Sequence, residues 1–232
     1  AAAGNVDHDE LVALVERLFD KEPADVRSAR SLRPFVYAPR RVSVDKDTEQ
    51  VHICVGAPGL VRSDERRFAL ELLDIIVGGG MSSRMFQQLR ENRGLVYSTY
   101  SFSTSYTDVG VFGVYAATRP ERADEALEVI HDELAKLAAG DIVVDEVNRA
   151  REQAKGSLML ASTASRTGRL AGAESWNEPY LRPEELIERL DRVTVDDVRA
   201  LAGELLAADK LSVVQLGPSE GTARAATLEA IG

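Results

Sequence analysis

Arg90 and Tyr97 are the two residues of this chain whose types and spacing could do chemistry together. Three glycines at 78–80 stop one helix, Ser82 or Ser83 can cap the next, and Gly94 ends that helix before a β-rich run opening with Val96 and Tyr97. The pair therefore flanks a tight turn. A long cation near a helix end and a phenol at a strand start can converge on one small region and offer it hydrogen-bond donors. Taken alone, the same residues also fit a helix-surface charge and a strand tyrosine packed on a neighbour.

Other chemistry-bearing residues are few. The histidines are His8, His52 and His131, and none has the paired spacing of a metal site. His131, followed by Asp132 and Glu133, is expected to be solvated on a helix. Cys54 is the only cysteine, which excludes a disulfide framework and a cysteine-type zinc site. It lies in the apolar run 51–55 and reads as a buried, inert thiol. The glycines at 78–80 are followed by no Gly-Lys-Ser/Thr and preceded by a helical pattern, so they predict a flexible helix-helix joint rather than a phosphate loop.

The elements that must position Arg90 and Tyr97 follow from periodicity. A helix over 65–77, with Phe68, Leu72, Leu73, Ile75 and Ile76 apolar, runs into the glycines. The next helix turns Met85, Phe86 and Leu89 inward and Arg84, Gln87, Gln88 and Glu91 outward. Strands over 96–104 and 109–117, joined by residues 105–108, form a hairpin. In its first strand Tyr97, Thr99, Ser101 and Ser103 share one face, and Val96, Tyr100 and Phe102 the other.

Around this centre, residues 1–5 read as a strand end and turn, and 7–20 as a helix with Leu11, Leu14, Val15 and Leu18 on one stripe. Residues 21–47, with prolines at 23, 34 and 39, form a linker passing into an extended segment, and 51–55 is a strand. Thr118 and Glu121 have capping-box spacing before a helix that ends at Gly140. A second long helix begins near Asp145 and is expected to run past Arg166. Shorter helices cover 183–191 and 195–207, the latter opened by Thr194, and 210–216 is a strand. Strands and helices in blocks, with a direct hairpin, predict an α+β fold: a mixed, largely antiparallel sheet packed with helices. Domain boundaries are placed at 1–47, the end of a preceding domain plus linker, and 48–232.

Composition bounds the function. The chain has 232 residues, 44% hydrophobic and 28% charged, with a formal net charge of −10. That balance disfavours a nucleic-acid role and favours neutral or basic partners. No apolar run approaches the roughly 18 residues of a membrane span. The strand and turn over 213–218, with a helix-like tail, match residues 1–5 and their helix. The chain then starts and stops at equivalent points of a repeat about 213 residues long, from Gly4 to Gly217. A fragment of a longer two-repeat protein is expected.

The stretch GGGMSSRMFQQLRENRGLVYS resembles the C-terminal repeat of the pitrilysin-type (inverzincin, M16) zinc metallopeptidases, particularly bacterial relatives of the mitochondrial processing peptidase. QVHICVGAPG, TRPERADEALEVIHDELAKL and DEVNRAREQAKGSLMLASTASRTGRLA extend the resemblance over essentially the whole chain. It implies one half of a clamshell around a chamber for unfolded peptides. The other half of such enzymes carries zinc through His-x-x-Glu-His. The half seen here supplies an arginine and a tyrosine that hold substrate and stabilise the oxyanion, and these map onto Arg90 and Tyr97. The positions matching the zinc helix are Ala69, Leu72 and Leu73, which cannot bind metal, so this chain is expected to bind no catalytic zinc and to be inactive alone. The resemblance also implies a peptide or unfolded-protein substrate, a missing N-terminal half, a homodimer of full-length subunits and a bacterial cytoplasm. A non-catalytic partner or scaffold subunit of a processing-peptidase-like complex is the alternative. An in-frame upstream His-x-x-Glu-His distinguishes the two.

Overall fold

A computed structural model of the chain describes residues 1–19 and 36–218. Most of the linker expected over 21–47, and the tail expected after Gly217, lie outside the described residues. The chain divides into two compact units, residues 1–34 with 156–187, and residues 35–155 with 188–232.

The larger unit is built on one five-stranded sheet. Its strands are β1 (Arg41–Asp45), β2 (Val51–Gly59), β3 (Val96–Ser105), β4 (Gly110–Thr118) and β5 (Ser212–Gly217), in the order β1-β5-β2-β4-β3. β1 and β5 run parallel, and the other three pairs are antiparallel. The mixed, largely antiparallel sheet is therefore present. β1 is a strand inside the stretch expected to be linker and extended chain.

Strand alternation divides the sheet into two faces. Val51, Ile53 and Val55 on β2 and Phe112, Val114 and Ala116 on β4 are buried on one face. The helices α2 (Arg67–Gly78), α3 (Ala123–Ala138) and α7 (Val195–Leu205) pack on the sheet and on each other. They contribute Leu72, Leu73, Ile130, Leu134 and Leu201 to this core. The other face is less covered. Across it Tyr100 pairs with Tyr115, Tyr115 with Cys54, and Cys54 with Val214. Tyr100 and Tyr115 lie with ring centroids 4.9 Å apart, and His52 Nδ1 lies 2.7 Å from the Tyr115 hydroxyl. Cys54 is thus half-buried on this face rather than in the core, and burial still raises its pKa.

α4 spans Val144–Met159 and α6 spans Pro183–Arg192, and the boundary between the units falls within both. The smaller unit holds α1 (His8–Leu18) and α5 (Thr163–Ser175). The long helix expected past Arg166 stops at Met159, and α5 restarts behind Ser162, whose hydroxyl accepts from the Ser165 N–H at 3.2 Å. A side-chain cap at that point offers the backbone a new start and competes with continuation.

Two local expectations change for packing reasons. Gly78 is no flexible joint: a Cβ there would stand 2.1 Å from the Ser101 backbone N, so glycine permits the close approach of α2 to β3. Ser101 Oγ donates to the Asp74 carbonyl at 2.8 Å across the same junction. Thr118 forms no capping box, because its buried hydroxyl donates to the Leu95 carbonyl at 2.5 Å. The capping box forms instead at α7, between Thr194 and Asp197.

Candidate active-site surface

The segment carrying Arg90 is anchored before it begins. Arg84, expected to face solvent, is held by Glu146 at 2.8 Å and Asp141 at 3.2 Å, with Glu133 at 3.9 Å. From α4, Gln153 Nε2 donates to the Gly79 carbonyl at 2.8 Å. Met85 and Leu89 are fully buried. Between these anchors the backbone over Phe86–Glu91 is π-helical rather than α-helical. The Asn92 N–H reaches back five residues to the Gln87 carbonyl at 2.9 Å. Such wide turns are rare and frequently sit at functional sites.

Gly94, at φ +58°, then reverses the chain. The Gly94 N–H bonds the Arg90 carbonyl at 3.1 Å, and the Leu95 N–H bonds the Leu89 carbonyl at 2.7 Å. Arg90 lies in the last turn of the π segment, with its guanidinium 5.3 Å from the Phe86 ring centroid.

Tyr97 sits at a break in the ladder. Val96 opposes Thr118 and Ser98 opposes Ala117, so Tyr97 is an extra residue, a β-bulge. The consequence is a change of face. Thr99 and Ser101 lie opposite the buried Ala116 and Val114, on the side of the helices. In a regular strand Tyr97 would share that side. The bulge instead turns Val96 inward, at 7% exposure, and leaves Tyr97 outward at 47%. The single polar face expected for Tyr97, Thr99, Ser101 and Ser103 is therefore broken at its first member.

The tyrosine hydroxyl has a partner that sequence reasoning missed. Arg119 Nε donates to Tyr97 Oη at 2.7 Å, and the guanidinium lies 5.8 Å from the ring centroid. An arginine can only donate, so the phenolic oxygen accepts, and its own proton stays available for another acceptor. The same hydrogen bond raises the Arg119 pKa. The structure brings Tyr97 together with Arg119; Arg90 approaches the region through the Gly94 turn but does not line the cleft that Tyr97 lines. A signal for Arg119 existed in the hairpin. Antiparallel pairing puts the residue just past the end of β4 beside the start of β3.

The positions resembling a zinc helix are packed apolar residues. Ala69 is 4% exposed, and Leu72 and Leu73 are fully buried on α2. Among the described residues no three His, Cys, Asp or Glu side chains gather as metal ligands. The donor set of the described residues does not fit a catalytic zinc ion.

A family model described as the peptidase M16 inactive domain matches residues 1–154. The chain belongs to peptidase M16. It is 41% identical over 216 residues to an uncharacterized zinc protease of Streptomyces coelicolor, covering 89% of this chain and 47% of that protein. It is 35% identical over 211 residues to an uncharacterized zinc protease of Bacillus subtilis, covering 90% and 51%. This M16 chain thus spans about half the length of the curated relatives it matches. Its fold resembles the crystal structure of a peptidase M16 inactive domain from Pseudomonas fluorescens, with a TM-score of 0.84 and 26% identity over 97% of this chain and 54% of that one. A protease from Helicobacter pylori shares the fold at a TM-score of 0.82, with 22% identity over 93% of this chain and 54% of that one. No described helix of this M16 domain is long and apolar enough to cross a membrane.

Proposed function

We propose that this chain is the half of a zinc metalloendopeptidase that holds the peptide and stabilises the oxyanion through Arg90 and Tyr97, while another part of the protein holds the metal. The substrate class is a peptide or unfolded protein, and the working form is a homodimer of full-length subunits. The observation that carries this reading is Tyr97 itself: the bulge turns its phenol outward, and Arg119 leaves its proton free to donate. When water attacks a peptide carbonyl, negative charge grows on the carbonyl oxygen. A phenol proton and a guanidinium held toward that oxygen bind it better in the transition state than in the ground state. Arg90 adds a permanent charge and a planar donor fork on a short, wide turn. The names of its relatives as zinc proteases support the same class of reaction.

The test is made in the full-length protein. Tyr97→Phe and Arg90→Ala are each expected to lower kcat for peptide hydrolysis by about 10²–10³ while zinc content is unchanged. Wild-type turnover in both variants removes the assignment, and loss of zinc reassigns the residues to structure.

A further inference from the structure

Beside Tyr97 lies a cleft of about 340 Å³ lined by residues 93–97, Arg119 and Arg122. Among the described residues three arginines and no carboxylate line it. That contrasts with a chain of 38 Asp and Glu against 28 Lys and Arg. The partners of these arginines are mostly neutral. Arg93 donates to the Gln88 carbonyl at 3.0 Å and to its amide oxygen. Arg119 donates to the Tyr97 hydroxyl, with Glu121 acting on it electrostatically. Arg122 pairs with Glu125 at 3.1 Å, and both side chains are about half exposed.

Several arginines elsewhere are neutralised by carboxylates. A larger cleft of about 570 Å³ is lined by Arg66, Arg189, Glu65 and Glu204. There Arg66 meets Glu204 at 2.6 Å and Arg189 meets Glu65 at 2.6 Å. Arg84 has three carboxylates within 4.0 Å. Guanidinium groups with mostly neutral partners around a concavity are suited to bidentate capture of a carboxylate. A space of about 340 Å³ takes one or two side chains, not a folded domain.

We propose that this cleft is a carboxylate-binding subsite, which receives an acidic group of the substrate peptide next to the Tyr97 hydroxyl; its place in a hydrolytic site rests on the function proposed above. The carboxylate comes either from an Asp or Glu side chain or from the peptide C-terminus. The subsite gives a protein of net charge −10 a local preference opposite to its overall field.

The experiment uses the full-length protein and acetylated tripeptides carrying one Glu or one Gln, each with a free or an amidated C-terminus. Binding is read by saturation-transfer NMR, so it does not depend on turnover. The amidated Glu peptide is expected to bind about fivefold more tightly than its Gln counterpart at low salt, with the advantage lost in concentrated salt. Arg93→Gln with Arg122→Gln is expected to bring the two within about twofold. The lysine versions, which keep charge but not the planar fork, retain part of the preference. A preference that follows the free C-terminus instead, and falls in the same variant, supports the subsite with that source. Equal binding of all four peptides, or a preference that survives the glutamine variant, overturns the proposal. If Tyr97→Phe and Arg90→Ala both retain full turnover while the arginine-dependent preference persists, the proposed catalytic role fails and carboxylate binding stands.

Discussion

Tyr97 is outward because one residue too many enters β3, and its hydroxyl is oriented by a cation on the neighbouring strand end. Under the function proposed above, this makes Arg119 a positioning residue. Arg119→Gln is expected to lower kcat on a neutral peptide by about tenfold with little change in KM, less than removal of an oxyanion donor itself. The same substitution in a Tyr97→Phe background is expected to have no further effect, because nothing remains to orient. Equal losses in both backgrounds point to a general structural role. The turn at Gly94 that separates Arg90 from Tyr97 was legible in the sequence because glycine punctuation is a local signal, whereas the roles proposed for the two residues came from the family resemblance. The hairpin carried a signal for Arg119, just past the end of its second strand, but the bulge had none, since it is a one-residue break in strand register that composition does not encode.

At the level of elements, glycine placement proved more specific than conformational freedom. Gly78 ends α2 without a positive φ, yet no side chain fits between α2 and β3. Gly78→Ala is expected to destabilise the protein by about 1–3 kcal/mol through overpacking, measured as a shifted urea midpoint at constant slope. Unchanged stability means that α2 can move away from β3 at no cost. The hairpin, the helices at 65–77 and 195–207 and the final strand were readable from period and caps. The π-helical segment was not, because Met85 just before it and Leu89 within it satisfy an α-helical stripe equally well. Likewise, the break after Met159 turns on one serine cap against a helical pattern that continues on both sides.

For the molecule as a whole, acid stability follows from specific carboxylates. Thr194 lowers the Asp197 pKa through side-chain and backbone hydrogen bonds, and Arg66 lowers that of Asp64. Burial pushes Glu146 upward, but hydrogen bonds from Arg84 and the Val143 N–H more than reverse it. Each folded pKa is depressed, so the stability these groups contribute is present above the unfolded values near pH 4 and is lost as pH falls through the folded ones. Asp74, pushed up by burial, works in the opposite sense. Asp197→Asn is expected to cost about 0.5 kcal/mol at pH 7, allowing for solvent screening, and to match the wild type once pH falls below the depressed pKa. A cost that stays constant with pH assigns the loss to geometry rather than charge. The mixed sheet was legible as a class because strands and helices come in blocks with a hairpin between them. Its strand order was not, because nothing local announces that β1 belongs beside β5.

That strand order also sets a schedule. Val42 pairs with Val214, and Cys54 pairs with Val214 from the other side, so the last of the five described strands fills the slot between two made early. At about 5–20 residues per second of synthesis, β1 waits on the order of ten seconds or more for its partner, and the open edge of β2 waits almost as long. The nascent chain must carry two unsatisfied strand edges through that interval, and closing the slot is the step on which the completed sheet depends.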